Sequence, residues 1–200
     1  MTAADPAPAV QPSRRPAPRP RTPRAAEIID AARALLEAKG PSGLTMRQLA
    51  AVVGIQAPSL YKHLPGRAAL EVALVEQGLD ETGVSLHAAV AASPVEPIGP
   101  LLGAYRAIGL SNPELYRLST ASSFPRGELL AGLEAWAGEP FFVATGDPYL
   151  AQALWSFAHG TLILEVDRRY PGGSDLDRIW QAGADAFKAA RTEKLSSPLP

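Results

Sequence analysis

The chain has 200 residues, 46% hydrophobic and 20% charged, with a formal net charge of −1. Such a composition can bury a core, and the length allows one large domain or two small ones. The absence of cysteine excludes disulfides, thiolate zinc sites, cysteine nucleophiles and iron–sulfur clusters, and fits a reducing, cytoplasmic setting. No apolar run reaches the roughly 18–20 residues that span a bilayer, and the Arg/Pro-rich start lacks the apolar stretch of a secretory signal. No membrane partner is expected.

The small net charge hides a division. Residues 1–67 hold ten Lys/Arg against four Asp/Glu, a net of +6; residues 68–200 hold nine against sixteen, a net of −7. One third of the chain attracts polyanions and the rest repels them, the pattern of a nucleic-acid-facing module on a larger body. Residues 1–23 contain seven of the twenty prolines and the arginines Arg14, Arg15, Arg19 and Arg21. With so few large apolar side chains this segment reads as a disordered or extended Pro/Arg-rich arm.

From Arg24 a helical pattern begins. Ile28, Ile29, Ala32, Leu35 and Leu36 share one face, and Gly40-Pro41 stops the helix. Thr45-Met46-Arg47-Gln48 is a capping-box pattern, which predicts a short helix from Thr45 to about Val52. Gly54 supplies a tight turn. A second short helix follows over Gln56–Leu64, with Pro58 in its first turn and Pro65-Gly66 at its end. A long helix opens at Arg67. Beyond Ser93-Pro94, further helices are expected near 96–109, 113–121, 126–138, 148–170 and 174–192. Only Phe141-Phe142-Val143 looks strand-like, and it is too short to pair alone.

The helix expected at 148–170 carries two apolar stripes. Leu150, Leu154, Phe157 and Thr161 form one; Trp155, Ala158, Leu162 and Val166 form the other. Two stripes need two partners, and a second subunit is the economical source of one.

Thr45–Leu64 reads as helix, glycine turn, short helix: a helix-turn-helix, whose second helix enters the major groove. Leu49, Ala50 and Leu60 would hold the pair together, leaving Pro58, Ser59, Tyr61, Lys62 and His63 facing out or toward the groove edge. Tyr and Lys suit phosphate oxygens. Ser59 is short enough to let the helix approach base edges, and Ala57 or Pro58 could meet a thymine methyl. Arg67, at a helix N-terminus, could hold a phosphate.

These residues resemble the TetR/AcrR-type bacterial repressors. The resemblance rests on Ile28-Ile29-Asp30-Ala31-Ala32, Gly43-Leu44-Thr45-Met46-Arg47-Gln48-Leu49-Ala50, Val53-Gly54-Ile55, Pro58-Ser59-Leu60-Tyr61-Lys62-His63-Leu64, and Arg67 with Leu70. It implies DNA contacts by Thr45, Arg47, Ala57, Pro58, Ser59, Tyr61, Lys62, His63 and Arg67, with Thr45 and Tyr61 on phosphate and His63 at the groove edge. Two positions depart from the family pattern: Leu64 replaces an aromatic, and Arg67 replaces a phosphate-binding lysine. Trp155-Ser156-Phe157-Ala158-His159-Gly160 resembles the Trp…His-Gly signature of one C-terminal subfamily.

The implied fold is all-α. It comprises an arm over 1–23, a helix-turn-helix DNA-binding domain over 24–70, a helical effector-binding and dimerisation domain over 71–194, and a disordered tail over 195–200. The implied partners are double-stranded operator DNA, a second copy through the last two helices, and a small, largely apolar effector. Tyr105, Trp136, Phe141, Trp155 and His159 are the candidate effector residues. No cofactor is expected, and His63, His87 and His159 have no metal-ligand spacing. The chain has no nucleophile elbow, P-loop or dinucleotide fingerprint, so an enzyme is not expected. The competing reading is a helical small-molecule-binding protein without DNA-binding activity, but the Tyr-Lys-His face shows no sign of that loss.

Overall fold

In the computed structural model, which describes residues 14–196 and the side chains of residues 14–194, the chain is all-helical. Thr22 starts α1 (Pro23–Gly43): its hydroxyl accepts from the Ala25 N–H at 3.2 Å, and Pro23 follows where a missing N–H is harmless. Regular helix ends at Gly40, whose φ of 68° suits glycine, and Pro41–Gly43 continues only as a kinked turn. Thr45 caps α2 (Met46–Val52) by accepting from the Gln48 N–H at 3.2 Å. Gly54, again at φ 68°, turns the chain into α3 (Ala57–Leu60). This helix is shorter than the expected Gln56–Leu64. Beyond Leu60 the chain makes hydrogen-bonded turns, with the Leu64 N–H donating to the Leu60 carbonyl at 3.0 Å.

The remaining helices are α4 (Arg67–Ala92), α5 (Ile98–Ser111), α6 (Pro113–Thr120), α7 (Leu133–Thr145), α8 (Pro148–Val166) and α9 (Leu176–Ser196). Three expectations are corrected. The helix placed at 126–138 is a single 3-10 turn, Arg126–Glu128, and α7 starts only after Gly132, which caps it in the left-handed region. Phe141-Phe142-Val143 is no strand but the last turns of α7, where Phe141 is buried in the core. The helix expected to reach residue 170 stops at Val166, with Arg168 left-handed just beyond it. Asp175 then starts α9, its carboxylate accepting from the Arg178 N–H at 3.1 Å. This helix runs through the start of the segment expected as a tail from 195; residues 197–200 lie outside the described residues.

Two cores result. The first joins Ile28, Leu36, Leu49, Leu60, Leu70 and Leu74 to Leu115 and Leu118 of α6. The second joins Leu86 and Val90 to α5, α7, α8 and α9. Each fully buried Leu contributes about 1.5–3 kcal/mol. α4 serves both cores without a break, so the boundary expected at 70/71 falls inside a continuous helix.

Residues 14–22, expected within a disordered arm, lie fastened to the body; residues 1–13 of that arm lie outside the described residues. Glu76 is the anchor. Its carboxylate is almost fully buried and accepts from Arg19 Nε at 2.8 Å, Arg21 Nη2 at 3.1 Å and the Leu130 N–H at 2.9 Å. Arg15 makes a two-pronged pair with Asp80 at 2.8 and 2.6 Å, its guanidinium lying over the Trp136 ring. A buried carboxylate needs such partners, and arginine supplies them in a fork.

Trp136 seats its ring where Gly83 of α4 has no side chain, and a Cβ there would collide with the ring carbons. We expect Gly83→Ala to destabilise the fold by about 1–3 kcal/mol through overpacking, read as a fall in thermal midpoint. An unchanged midpoint would show that Trp136 repacks freely.

Candidate functional site

Leu49, Ala50, Leu60 and Leu64 are buried and hold α2 against α3 and α1. With those side chains turned inward, the opposite residues must face water. Arg47, Pro58, Tyr61, Lys62 and His63 are exposed, Tyr61 by 52%. Thr45, Ala57 and Ser59 are half-buried, Ala57 packing on the core edge. Of the nine expected DNA-contact residues, Arg67 is also exposed, so six are exposed and three half-buried. Among the described residues, no hydrogen bond or ion pair engages the side chains of Arg47, Tyr61, Lys62 and His63, so their polar groups are available to a ligand.

Arg67 differs. Its Nη1 donates to the Leu44 carbonyl at 2.8 Å, its Nη2 to the Pro41 carbonyl at 2.9 Å, and its Nε to Glu71 at 2.7 Å. The guanidinium clamps the α1–α2 turn onto α4 while the side chain stays exposed. Arg24 does similar work, donating to the Val53 carbonyl at 3.0 Å.

A cavity of about 350 Å³ lies among α4, α5, α6, α7 and α8. Of the residues expected to meet an effector, Tyr105, Phe141, Trp155 and His159 line it. Trp136 does not: it turns away toward α4, stacked on His87 with centroids 5.1 Å apart. Phe142 reaches the wall, whereas Phe157 packs on Trp180 and Phe187. Sequence reasoning missed Tyr116, Arg126 and Glu134. Tyr116 lies on a separate helix from Tyr105, and Arg126 sits in a loop with no periodicity, so no local signal marked them.

Tyr116 is central to the cavity's polar groups. Its hydroxyl lies 3.1 Å from the Tyr105 hydroxyl and 2.6 Å from His159 Nδ1. Burial pushes both phenols up from their ordinary pKa. Trp155 stacks on the His159 ring, and Arg126 pairs with Glu134 on the wall. Among the described residues no cluster of His, Asp or Glu could hold a metal, and no helix is long and apolar enough to cross a membrane.

Residues 28–74 match the family described as "Bacterial regulatory proteins, tetR family". This segment is a TetR-family N-terminal domain. The helix-turn-helix is thus of the DNA-binding kind, and the described residues have the TetR-like fold. A solved structure of a protein described as regulatory, SCO4313, is 26% identical with a TM-score of 0.69, covering 83% of this chain and 95% of that one. A variant of TetR from Acinetobacter baumannii AYE, solved in complex with minocycline, is 22% identical with a TM-score of 0.60 over 86% of this chain and 98% of its own. The multidrug binding protein EbrR, solved with imidazole, is 22% identical with a TM-score of 0.63 over 90% and 97%. The latter two likenesses speak to fold. No curated protein matches the chain.

These environments make two predictions. Arg67→Met should lower stability without DNA by about 1–3 kcal/mol, since it leaves two carbonyls without their charged donor; an unaltered thermal midpoint would leave Arg67 free for phosphate. His159, facing Tyr116 of α6, Trp155 of its own helix and the Arg126–Glu134 pair, has its pKa lowered from 6.5, first by burial and then by the Arg126 charge. The unfolded chain therefore binds this proton more readily than the folded one. Stability from neutral His159 is complete above about pH 6.5 and declines on acidification toward the folded value. Thermal melts across that range should fall more steeply for the wild type than for His159→Gln; equal slopes would contradict the assignment.

Proposed function

We propose that this protein is a homodimeric, sequence-specific transcriptional regulator, a repressor released from its operator by a small, largely apolar effector. The observation that carries the reading is the exposed, unengaged Arg47, Tyr61, Lys62 and His63 surface on a helix-turn-helix whose inner face is fully packed. On this reading Tyr61 and Thr45 meet phosphate, Ala57, Pro58, Ser59 and Lys62 lie in the groove, and His63 sits at its edge. Two copies would read half-sites about one helical turn, roughly 34–36 Å, apart.

A dimer through α8 and α9 is supported by what those helices leave uncovered. Ala153 and Ser156 on α8, with Ala182, Ala186 and Ala189 on α9, are exposed small residues that admit close helix packing. Trp155, 50% exposed, borders the same region. Trp155 and His159 also line the cavity, which keeps the resemblance of Trp155–Gly160 to one C-terminal subfamily part of the proposal.

Coupling between cavity and DNA-binding domain has a physical route in α6. This helix is capped by α1: Glu37 accepts from the N–H groups of Glu114 and Leu115 at 3.1 and 2.9 Å. Asn112, the residue placed to cap it, is drawn off instead by Arg33, which donates to its side-chain oxygen at 3.0 Å. Tyr116, one residue beyond Leu115, faces the cavity. A ligand that shifts Tyr116 therefore acts on α1 through its own cap, provided it prefers the shifted state.

Gel-shift titration tests the reading. Tyr61→Ala should weaken binding to operator and scrambled duplexes alike, through a lost phosphate contact, while changes at Ser59 or Lys62 should alter sequence preference. Wild-type-like binding by Tyr61→Ala, or affinity insensitive to salt, would overturn it.

A further inference from the structure

We infer that the cavity selects an electrically neutral ligand, with an apolar body of aromatic size and a single hydroxyl, carbonyl or amide group that meets the Tyr105–Tyr116–His159 chain. This deepens the effector reading proposed above and rests on it.

The volume, about 350 Å³, is within the range of small-molecule sites. Leu79, Leu86, Ala137, Phe141 and Phe142 give the walls their apolar character. The fixed charges on those walls, Arg126 and Glu134, already form a pair, and Arg126 also donates to the Ser119 carbonyl at 2.7 Å. A carboxylate approaching Arg126 meets a charge already offset by Glu134 beside it, and an ammonium approaching Glu134 meets one already offset by Arg126. Either ion would also give up its hydration among apolar side chains. A neutral group meets neither cost.

The polar chain accepts such a group in either sense. With His159 neutral, Tyr116 donates to Nδ1 and accepts from Tyr105, leaving a ring N–H at one end and a phenol oxygen at the other. In the reversed arrangement Nδ1–H donates to Tyr116 and Tyr116 donates to Tyr105, leaving a phenol O–H and a bare ring nitrogen. The links at 3.1 and 2.6 Å fit both. Each arrangement leaves one donor and one acceptor, so a ligand hydroxyl or carbonyl finds a matching partner at one end of the chain.

The test uses the full chain at about pH 7.5 and four probes of one shape: 2-naphthol, naphthalene, 2-naphthoate and 2-naphthylmethylammonium, titrated by calorimetry. 2-Naphthol should bind, naphthalene severalfold more weakly, and both ions at least about tenfold more weakly. Tyr116→Phe should shrink the preference for naphthol over naphthalene to within about threefold, a ratio that a purely structural role would not move. Naphthoate or the ammonium binding as tightly as naphthol would overturn the proposal, above all if Arg126→Gln or Glu134→Gln abolished that binding. So would the absence of binding by all four probes, or a naphthol-to-naphthalene ratio unaltered in Tyr116→Phe. Duplex binding is measured on the same preparation. Loss of duplex binding with naphthol selectivity intact would remove the regulator reading alone, and the converse would remove only the ligand assignment.

Discussion

One helix must be buried at both ends in different company. α4 offers Leu70, Ala73 and Leu74 to the core of the DNA-binding domain, then Leu86 and Val90 to the core beneath α5, α7 and α8. A continuous helix is stiff on this length scale, so a displacement at one core reaches the other. The other connections run beside it. Arg33 joins Glu81 of α4 to Asn112 at the start of α6, Glu37 caps α6, and Arg67 ties the first turn of α4 to the α1–α2 turn. The two parts of the chain thus share backbone groups that only a neighbour can satisfy. Leaving such buried groups unpaired is costly, so they stay paired.

The basic arm belongs to the same scheme. Its arginines contribute to the positive charge of the first 67 residues, but Arg15, Arg19 and Arg21 face Asp80 and Glu76 on α4. The positive surface available for a polyanion is correspondingly narrower than composition suggests. Arg19 also donates to the Glu128 carbonyl at 2.7 Å, and Glu76 accepts from Leu130, so the arm braces the loop whose Arg126 reaches the cavity wall. Ordering a proline-rich segment is cheaper than ordering most others because proline has already given up part of its backbone freedom.

What the sequence made legible was local. Thr45 with Gln48, Gly40 with Pro41, and Gly54 mark their elements within a few residues, and the alternation of buried Leu49 and Leu60 with exposed Tyr61 and Lys62 follows from helical spacing. Tyr105, Phe141, Trp155 and His159 were reachable as aromatic and polar residues on apolar helices. What was not legible depends on partners far along the chain. Glu76 lies more than fifty residues from Arg19 and Arg21, and Glu37 lies seventy-eight from Leu115. No periodicity records such pairings. Trp136 was misplaced for a related reason. Its position on α7 has alanine on either side, and its ring is seated by partners far along the chain: the gap at Gly83, the His87 ring and Arg15.

The replacement of lysine by Arg67 has a structural consequence that bears on DNA recognition. A lysine ammonium is a single compact charge, whereas a guanidinium presents a planar fork of donors. That fork lets Arg67 reach the Pro41 and Leu44 carbonyls together while also pairing with Glu71. Those carbonyls follow the kink at Gly40, where the regular helical ladder has ended, and the Pro41 carbonyl keeps one turn bond, from the Leu44 N–H at 3.3 Å. The arginine thus stiffens the turn that positions α2, at the expense of a free cation at the start of α4. On the proposed reading, phosphate attraction at this face then falls to Arg47 and Lys62, whose charges are unpaired among the described residues, and to the exposed Tyr61. On that same reading, recognition and rigidity fall to different cations, each suited by the geometry of its head group.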